Sequence, residues 1–245
     1  MNEMQEVVKE TLREAAWGLR ELFFPRKCVV CGSFLDESER DICKACLDDL
    51  PLTYHWDIVQ NAAFERLARR FEVEDAASLM FFGTESDYKS ILYGIKYGGR
   101  RGLGIRMGRI LGKYLADSRM FNGCQAVVPV PLHPLRRWKR GYNQAEKIAR
   151  GVAEAMGLPL ETALVRRLRH TKTQTRLRGE AKSKNVQGAF GLNDKRLDEL
   201  RKKGVSHILL IDDTLTTGST LAACASPLRA AGLRISAATL AFAGT

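Results

Sequence analysis

From residue 76 onward, short apolar runs of strand length alternate with longer segments of helical spacing. The apolar runs are AASLMFFG, CQAVVPVPL, HILLIDD and RISAATLAFA. The helical patterns are SDYKSILYGIKYGG, GIRMGRILGKYLAD, YNQAEKIARGVAEAMG and STLAACASPLRAAG. Strands that alternate with helices of this length form βαβ units, whose strands lie parallel. The chain is therefore predicted to contain an α/β domain with a parallel sheet flanked by helices.

The third apolar run leads directly into two adjacent carboxylates, in the stretch HILLIDDTLTTGST at residues 207–220. Ligands of an open parallel sheet bind beyond the carboxyl ends of its strands, so both aspartates are expected at the ligand-binding edge. The hydroxyl-rich loop that follows, together with the helix that begins near its end, suits a phosphate group. Because carboxylates accept hydrogen bonds from ribose hydroxyls, a sugar-phosphate fits both halves. The candidate binding residues are Asp212, Asp213, Thr214, Thr216, Thr217, Gly218, Ser219 and Thr220.

Two other interpretations apply to this stretch. An ATP-binding P-loop is disfavoured, because the pattern G-x-x-x-x-G-K-[ST] is absent from the sequence. Asp213 and Ser219 could instead be an ordinary turn residue and an ordinary helix cap. A cap needs one such residue, whereas here a whole run of them follows, which favours a binding loop.

Four cysteines near the N-terminus form two C-x-x-C pairs, Cys28 with Cys31 and Cys43 with Cys46. Four thiolates in this arrangement can surround a tetrahedral Zn²⁺ and leave no open position for catalysis, so they predict a structural zinc site. Disulfides are the alternative, which a reducing compartment disfavours. The isolated cysteines are expected to be small core residues; these are Cys124 and Cys224.

The N-terminal segment has apolar side chains at helical spacing over residues 4–23, and Pro25 ends the pattern. The apolar face of this helix could pack on its own protein or dock a partner. Together with the cysteines it predicts an N-terminal module over residues 1–55, followed by the main domain over residues 56–245. Acidic residues interrupt any secretory signal, and no apolar stretch approaches the ~20 residues that cross a bilayer, so a cytoplasmic location is expected.

The net charge of +11 is concentrated in the middle of the chain. Residues 1–93 carry 11 Lys and Arg against 18 Asp and Glu, whereas residues 94–184 carry 21 against 5. This block of net charge +16 indicates a polyanionic ligand, either nucleic acid or a small polyphosphate. A basic face that keeps the protein in solution is the simpler alternative.

The stretch ILLIDDTLTTGST resembles the phosphoribosyl-pyrophosphate (PRPP) motif of type I phosphoribosyltransferases. The chain as a whole is similar to the ComF family, competence-type phosphoribosyltransferase-like proteins with a double zinc ribbon. The segments that carry this resemblance are FPRKCVVCG, ICKACLDDLP, GIKYGGRRGLG, VVPVPLHPLRRWKRGYNQAEKIA and TKTQTRLRGEAKSKNVQGAF. The resemblance implies a type I phosphoribosyltransferase fold with an N-terminal helix and a small zinc-binding module of four cysteines. One departure is Lys182, where the family usually has Arg; the charge remains, but Lys cannot form the bidentate fork of Arg.

The segment PLHPLRRWKRGYNQAE follows a strand end, so its cations are expected at the same edge as Asp212. In type I enzymes the corresponding loop contacts pyrophosphate. The cations could equally follow a nucleic-acid backbone while Trp138 or Tyr142 stacks on a base, and a surface turn with a half-buried Trp138 is the simpler alternative. The candidate residues for pyrophosphate or DNA binding are Lys96, Arg136, Arg137, Lys139, Arg140 and Lys182.

The segment 166–188 carries eight cations against one acid, Glu180. In type I enzymes a mobile loop at this place closes over the substrate and excludes water during the loss of pyrophosphate. Because neighbouring cations repel one another, the loop is expected to be disordered when the site is empty; a basic linker is the alternative. The cations are Arg166, Arg167, Arg169, Lys172, Arg176, Arg178, Lys182 and Lys184.

Two functions fit these patterns. The first is a competence-associated role in natural transformation and DNA uptake, in which the protein binds single-stranded DNA, carries a PRPP pocket and meets other DNA-uptake proteins. The second is a Mg²⁺-dependent phosphoribosyltransferase of unknown acceptor, with Mg²⁺ bound together with PRPP. The basic block favours the first, because a small sugar-phosphate does not need so many cations. No catalytic residue can be assigned, since isolated histidines are usually structural or exposed; these are His133, His170 and His207.

Overall fold

The structure, a computed structural model, describes residues 25–83, 86–168 and 188–244, apart from the side chains of Arg137 and Lys139. The predicted helix over residues 4–23 and the candidate Lys182 lie outside these ranges. The chain divides into two compact units, Met1–Leu50 and Pro51–Thr245. Each unit is a group of residues in mutual contact, which is not the same as a domain that folds by itself. The predicted domain ranges 1–55 and 56–245 therefore stay a prediction. Within the described ranges, no helix is long and apolar enough to cross a membrane.

The described part of the first unit is held by short-range contacts. Lys27 and Phe34 form an isolated antiparallel bridge across the first pair of cysteines. Gly32 has a φ of 76°, a left-handed conformation that glycine adopts without strain, and it allows a sharp turn after the first pair of cysteines. A short helix, α1 (Lys44–Asp48), begins directly after Cys43. The two cysteine pairs are thereby brought to the same place.

The second unit is built on a four-stranded parallel sheet with the strand order β1-β6-β5-β2. Its strands are β1 (Ala76–Phe82), β2 (Ala126–Pro129), β5 (His207–Leu215) and β6 (Arg234–Ala243). The residues Ile208, Leu209, Leu210 and Ile211 have no exposed surface, as expected for a strand covered on both faces. The parallel sheet flanked by helices confirms the predicted α/β fold of the type I phosphoribosyltransferase kind.

Helices connect and cover the strands. They are α2 (Ala62–Ala68), α3 (Lys89–Lys96), α4 (Arg101–Asp117), α5 (Pro134–Arg140), α6 (Gln144–Met156), α7 (Asp194–Lys202) and α8 (Ser219–Ala230). The four helical patterns of the sequence correspond to α3, α4, α6 and α8. Gly157 ends α6 with a φ of 66°, the left-handed conformation typical of a glycine that follows a helix.

Helices α4 and α6 approach each other at glycines. A methyl group on Gly108 would lie 2.1 Å from the carbonyl oxygen of Ile148, and one on Gly151 would lie 2.0 Å from that of Ile105. Both distances are far shorter than any van der Waals contact, so only glycine permits this crossing. The crossing fixes α6, and with it the chain that leads from the end of β2 into this helix.

A small second sheet was not predicted. Its strands β3 (Val165–Arg167) and β4 (Phe190–Leu192) pair antiparallel, with Arg167 opposite Phe190. The basic segment predicted as a loop over residues 166–188 therefore begins inside a strand. This hairpin stem brings the two ends of residues 169–187 together.

Candidate functional site

The two aspartates lie within β5, just past the point where the neighbouring strand β2 has ended. The last pair between β2 and β5 is Pro129 with Ile211, whereas β5 continues along β6 as far as the pair of Leu215 with Phe242. Asp212 and Asp213 are thus supported by β6 on one side and have an open edge on the other. This is the carboxyl edge at which ligands of open parallel sheets bind.

Lys96 forms an ion pair with Asp213, one of these two aspartates. Its Nζ lies 3.1 Å from Oδ1 of Asp213 and 3.3 Å from Oγ1 of Thr214, to which it donates a hydrogen bond. The side chains of Lys96 and Asp213 are only 24% and 18% exposed, so this ion pair is partly shielded from water. Lys96 is the last residue of α3, and the structure brings it together with the predicted carboxylates.

Asp212 has an unusual acidity. Burial and the neighbouring charge of Asp213 raise the pKa of its carboxyl to about 7, although Lys96 and Arg167 act in the opposite direction. Its Oδ1 accepts a hydrogen bond of 2.8 Å from the backbone N–H of Asp213. The two adjacent carboxyls therefore differ in their environment, since Asp213 faces a cation at ion-pair distance.

The hydroxyl-rich loop turns at Gly218, which has a φ of 75° and precedes α8 as its N-cap. A methyl group there would lie 2.8 Å from Cδ2 of Leu67, so the position is restricted to glycine both by conformation and by space. The hydroxyls of Thr217 and Ser219 lie 3.0 Å apart at the start of the helix. Because the cap is Gly218 and not Ser219, and Asp213 lies in a strand, the alternative of an ordinary turn residue and cap is excluded. The first turn of α8 presents its backbone N–H groups towards the loop, as anion sites require.

Arg66 anchors the hydroxyl-rich loop through hydrogen bonds, a role that the sequence did not indicate. Its Nη1 donates hydrogen bonds to the carbonyl oxygens of Thr216, at 2.9 Å, and of Ala243, at 2.6 Å. The guanidinium also lies 4.0 Å from the ring centroid of Phe242. Arg66 thus ties α2 to the loop after β5 and to the end of β6. No local pattern could reveal this, because 150 residues separate Arg66 from Thr216.

Arg167, near the start of the basic segment, interacts electrostatically with Asp212. Burial and the charge of Arg136 lower the pKa of its guanidinium, while the carboxyl of Asp212 raises it. Arg167 on β3 is therefore influenced both by Arg136 on α5 and by Asp212 on β5. The sequence assigned Arg136 to the candidate site and Arg167 only to the loop.

The remaining cations of α5 have different places. Arg140 is half-buried and donates hydrogen bonds to Oε1 of Gln144, at 3.1 Å, and to the hydroxyl of Tyr97, at 3.4 Å. Trp138, on the same helix, is 87% exposed, which contradicts the alternative of a half-buried side chain in a surface turn. The side chains of Arg137 and Lys139 lie outside the described part of the chain.

Tyr142 cannot stack on a base as proposed from the sequence. Its side chain is buried, and its hydroxyl donates a hydrogen bond to the carbonyl oxygen of Ile95. The prediction is wrong because the residue follows Gly141, whose φ of 74° turns the chain inward before α6 begins. Tyr142 supports α3, the helix that carries Lys96.

His207 and the isolated cysteines belong to the core. Burial lowers the pKa of the His207 imidazole, and its Nε2 lies 3.0 Å from Oγ of Ser236. Cys124 and Cys224 are buried, as predicted. These residues lie at the starts of strands or beneath the sheet, so they support the structural interpretation.

The four cysteines of the first unit form one cluster. Their Sγ atoms all lie within 4.8 Å of one another. A tetrahedral zinc with Zn–S bonds of about 2.3 Å needs sulfur atoms about 3.8 Å apart. The Sγ atoms of Cys31 and Cys43 are 3.7 Å apart. The cluster therefore has the size and the donor set of a zinc site with four thiolate ligands.

Hydrogen bonds prepare two of these thiols for a metal. The side chain and backbone of Ser33 lower the pKa of the Cys31 thiol to about 6. Burial raises the pKa of Cys28, but backbone N–H groups, led by that of Cys43, outweigh this effect and lower it. Since the thiolate is the form that binds zinc, both effects favour metal binding.

Known proteins resemble this chain in both units. Residues 19–56 match the double zinc ribbon domain. Competence protein F of Haemophilus influenzae is 25% identical over 219 residues, which are 86% of this chain and 94% of that protein. The DNA utilization protein YhgH of Shigella flexneri is 30% identical over 164 residues, which are 64% of this chain and 67% of that protein. The chain belongs to the ComF family. Another ComF-type relative, the DNA utilization protein YhgH of Salmonella typhimurium, is 31% identical, and the matched region spans 63% of its length.

Within this ComF protein, the cysteine cluster is a structural zinc site, since the double zinc ribbon match and the sulfur geometry agree. The ligands are Cys28, Cys31, Cys43 and Cys46. Their number fills a tetrahedral zinc completely. The roles of the other candidate residues stay predictions.

Proposed function

We propose that this ComF protein takes part in the handling of DNA during competence, binds single-stranded DNA and carries a PRPP-type sugar-phosphate pocket at the end of β5. The observation that carries the proposal is the meeting of Lys96, Asp213 and the glycine-turned hydroxyl loop at one open sheet edge. The names of the relatives, a competence protein and DNA utilization proteins, support the biological setting.

In the proposed pocket, the loop and the first turn of α8 hold a phosphate monoester, because backbone N–H groups and hydroxyls there are donors. Asp212 and Asp213 accept hydrogen bonds from the ribose hydroxyls. Lys96 and Arg136 neutralise the pyrophosphate group. Asp212 and Asp213 would help to hold Mg²⁺ indirectly, through the ribose hydroxyls of PRPP, and the ion would supply charge neutralisation of the leaving group.

DNA binding is supported by the basic block of the chain. Residues 94–184 carry a net charge of +16, more than a small sugar-phosphate needs. Proteins that neutralise several phosphates bind DNA with a strong dependence on salt. The affinity for single-stranded DNA should therefore fall steeply as salt is raised.

A second candidate function is phosphoribosyl transfer from PRPP to an acceptor. The electrostatic interaction of Arg167 with Asp212 and with Arg136 favours it, because the loss of pyrophosphate needs cations close to the ribose. As pyrophosphate leaves, C1 of the ribose becomes oxocarbenium-like and a nucleophilic acceptor forms the new bond to C1. The protein would then hold and neutralise the leaving group, and the acceptor is undefined.

The test of the pocket is a calorimetric titration of PRPP with Mg²⁺ into the full-length protein and into the variant Asp213→Asn. The native protein should bind with micromolar affinity, and Asp213→Asn should bind at least about tenfold more weakly, since one acceptor and the partner of Lys96 are lost. Asp198→Asn is the matched control, because Asp198 is 64% exposed on α7. The affinity for single-stranded DNA should be the same in all three proteins.

Absence of heat with the native protein would refute the pocket and leave the phosphoribosyltransferase fold as a scaffold. Equal binding by native protein and Asp213→Asn would show that the ligand sits elsewhere. Release of pyrophosphate when candidate acceptors are added would favour the second function.

A further inference from the structure

Helix α3 carries Tyr93 and Lys96, and Tyr97 follows it directly. Lys96 points to Asp213, whereas Tyr93 and Tyr97 are 56% and 68% exposed. The two tyrosines are one helical turn apart, and their ring centroids are 5.9 Å from each other with an angle of 35° between the planes. Two exposed aromatic rings thus lie side by side, and Tyr97 directly follows Lys96, the ion-pair partner of Asp213.

Helix α5 adds a cation to these rings. The guanidinium of Arg140 lies 5.0 Å from the ring centroid of Tyr97, and its Nη2 donates a hydrogen bond to the hydroxyl of the same residue. Trp138, two residues earlier on α5, is the most exposed of the large apolar side chains in the described part of the chain. Tryptophan is usually well buried, and packing within the described part of the chain does not explain the exposure of Trp138.

The segment of the chain that carries these aromatic side chains is strongly basic, which indicates the kind of ligand. Between Tyr88 and Ala145 the chain carries twelve Lys and Arg and one acidic residue, Asp117. An apolar protein partner would not require such a surplus of cations, whereas a strand of nucleic acid supplies one phosphate for every base. Aromatic faces within a cationic surface are the arrangement that binds single strands, because every base has a face that can stack.

We infer that Tyr93 and Tyr97 form a base-stacking platform for single-stranded DNA, with Arg140, whose guanidinium lies over the Tyr97 ring, as its cation. This inference rests on the proposed DNA-binding function and gives it a location. Duplex DNA does not present the faces of its bases, so the platform selects unpaired strands. The bound strand passes next to Lys96 and hence next to the sugar-phosphate site.

The experiment compares two ligands of equal length, an oligothymidine and the same oligonucleotide without bases. Fluorescence anisotropy would measure the affinities of the full-length native protein and of the double variant Tyr93→Ala/Tyr97→Ala. The native protein should prefer oligothymidine at least about tenfold, and the double variant should bind both ligands as the native protein binds the abasic strand. The salt dependence should stay unchanged, because stacking neutralises no phosphate.

Two variants serve as controls. Tyr93→Phe/Tyr97→Phe keeps the aromatic faces and should retain the preference for bases. Tyr54→Ala removes another exposed tyrosine, far along the chain from α3, and should bind like the native protein. The midpoint of urea unfolding must be similar in every variant, which excludes a loss of folding as the cause.

The possible results distinguish a failure of the base-stacking platform from a failure of DNA binding itself. If the double variant keeps the preference for oligothymidine, the platform is refuted while DNA binding stands. The same holds if the native protein binds both ligands equally. If the native protein binds neither ligand, the proposed DNA-binding function itself fails, and the platform with it.

Discussion

At the scale of single residues, Asp212 shows how position on a strand changes the chemistry of a carboxyl. Its neighbour Asp213 forms an ion pair with Lys96. Burial and the negative charge of Asp213 raise the pKa of the Asp212 carboxyl to about 7. In an unfolded chain the pKa of an aspartate is about 3.9. Between these two values the folded protein keeps a proton that the unfolded chain has lost. Folding stability must therefore fall as the pH rises through this range.

The variant Asp212→Asn should remove this pH dependence, because asparagine cannot ionise but its oxygen can still accept the hydrogen bond from Asp213. Its free energy of unfolding relative to native protein should rise from about pH 4 to about pH 7, by at most about 1.4 kcal/mol per pH unit, and stay constant above. Urea unfolding at several pH values measures this. A flat difference between Asp212→Asn and native protein over this range would contradict the raised pKa.

At the scale of elements, the crossing of α4 and α6 depends on the absence of two side chains. Gly151→Ala would place a methyl group 2.0 Å from the carbonyl oxygen of Ile105. Forcing the helices apart should cost about 1–3 kcal/mol of unfolding free energy, even though alanine favours helices by about 1 kcal/mol over glycine. Urea unfolding would measure the change. Gly102→Ala, at the start of α4 with no atom within 4 Å of the new methyl group, should be neutral or stabilising; a similar loss in both variants would contradict this account.

The elements also show which parts of the fold the sequence could predict. The four parallel strands are continuous apolar runs, and each long helix shows its own periodicity, so local patterns were sufficient. Strands β3 and β4 have three residues each, too few to show any period. The contact of Lys96 with Thr214 joins positions 118 residues apart. Only the family resemblance suggested Lys96, and nothing suggested Arg66, because a contact between distant elements leaves no local pattern.

At the scale of the whole molecule, the two units differ in what stabilises them. In the described part of the first unit the buried apolar residues are Leu35, Ile42 and Leu50 together with three of the cysteines. So small a core does not fold alone without a metal or another constraint. The second unit contains the complete sheet and a large apolar core.

Removal of zinc by a chelator should therefore unfold the first unit and spare the sheet. Hydrogen exchange read by mass spectrometry should show loss of protection in residues 26–49, while β5 and β6 stay protected. Cys31→Ser should show the same loss without chelator, and Cys124→Ser should respond like the native protein because Cys124 lies outside the cluster. Loss of protection in β5 and β6 on chelation would mean that the two units do not fold independently.

A ligand of the proposed pocket must compete with the ion pair between Lys96 and Asp213. A ligand must release Lys96 from the aspartate and satisfy both charges again, so a molecule with only one half of the required chemistry gains little. A nucleoside has hydroxyls for the aspartate but nothing for the lysine, and inorganic phosphate has the reverse deficiency. In the proposed pocket, a sugar-phosphate would replace both partners in one molecule. The ion pair of Lys96 with Asp213 would then disfavour ligands that carry only the hydroxyls or only the phosphate.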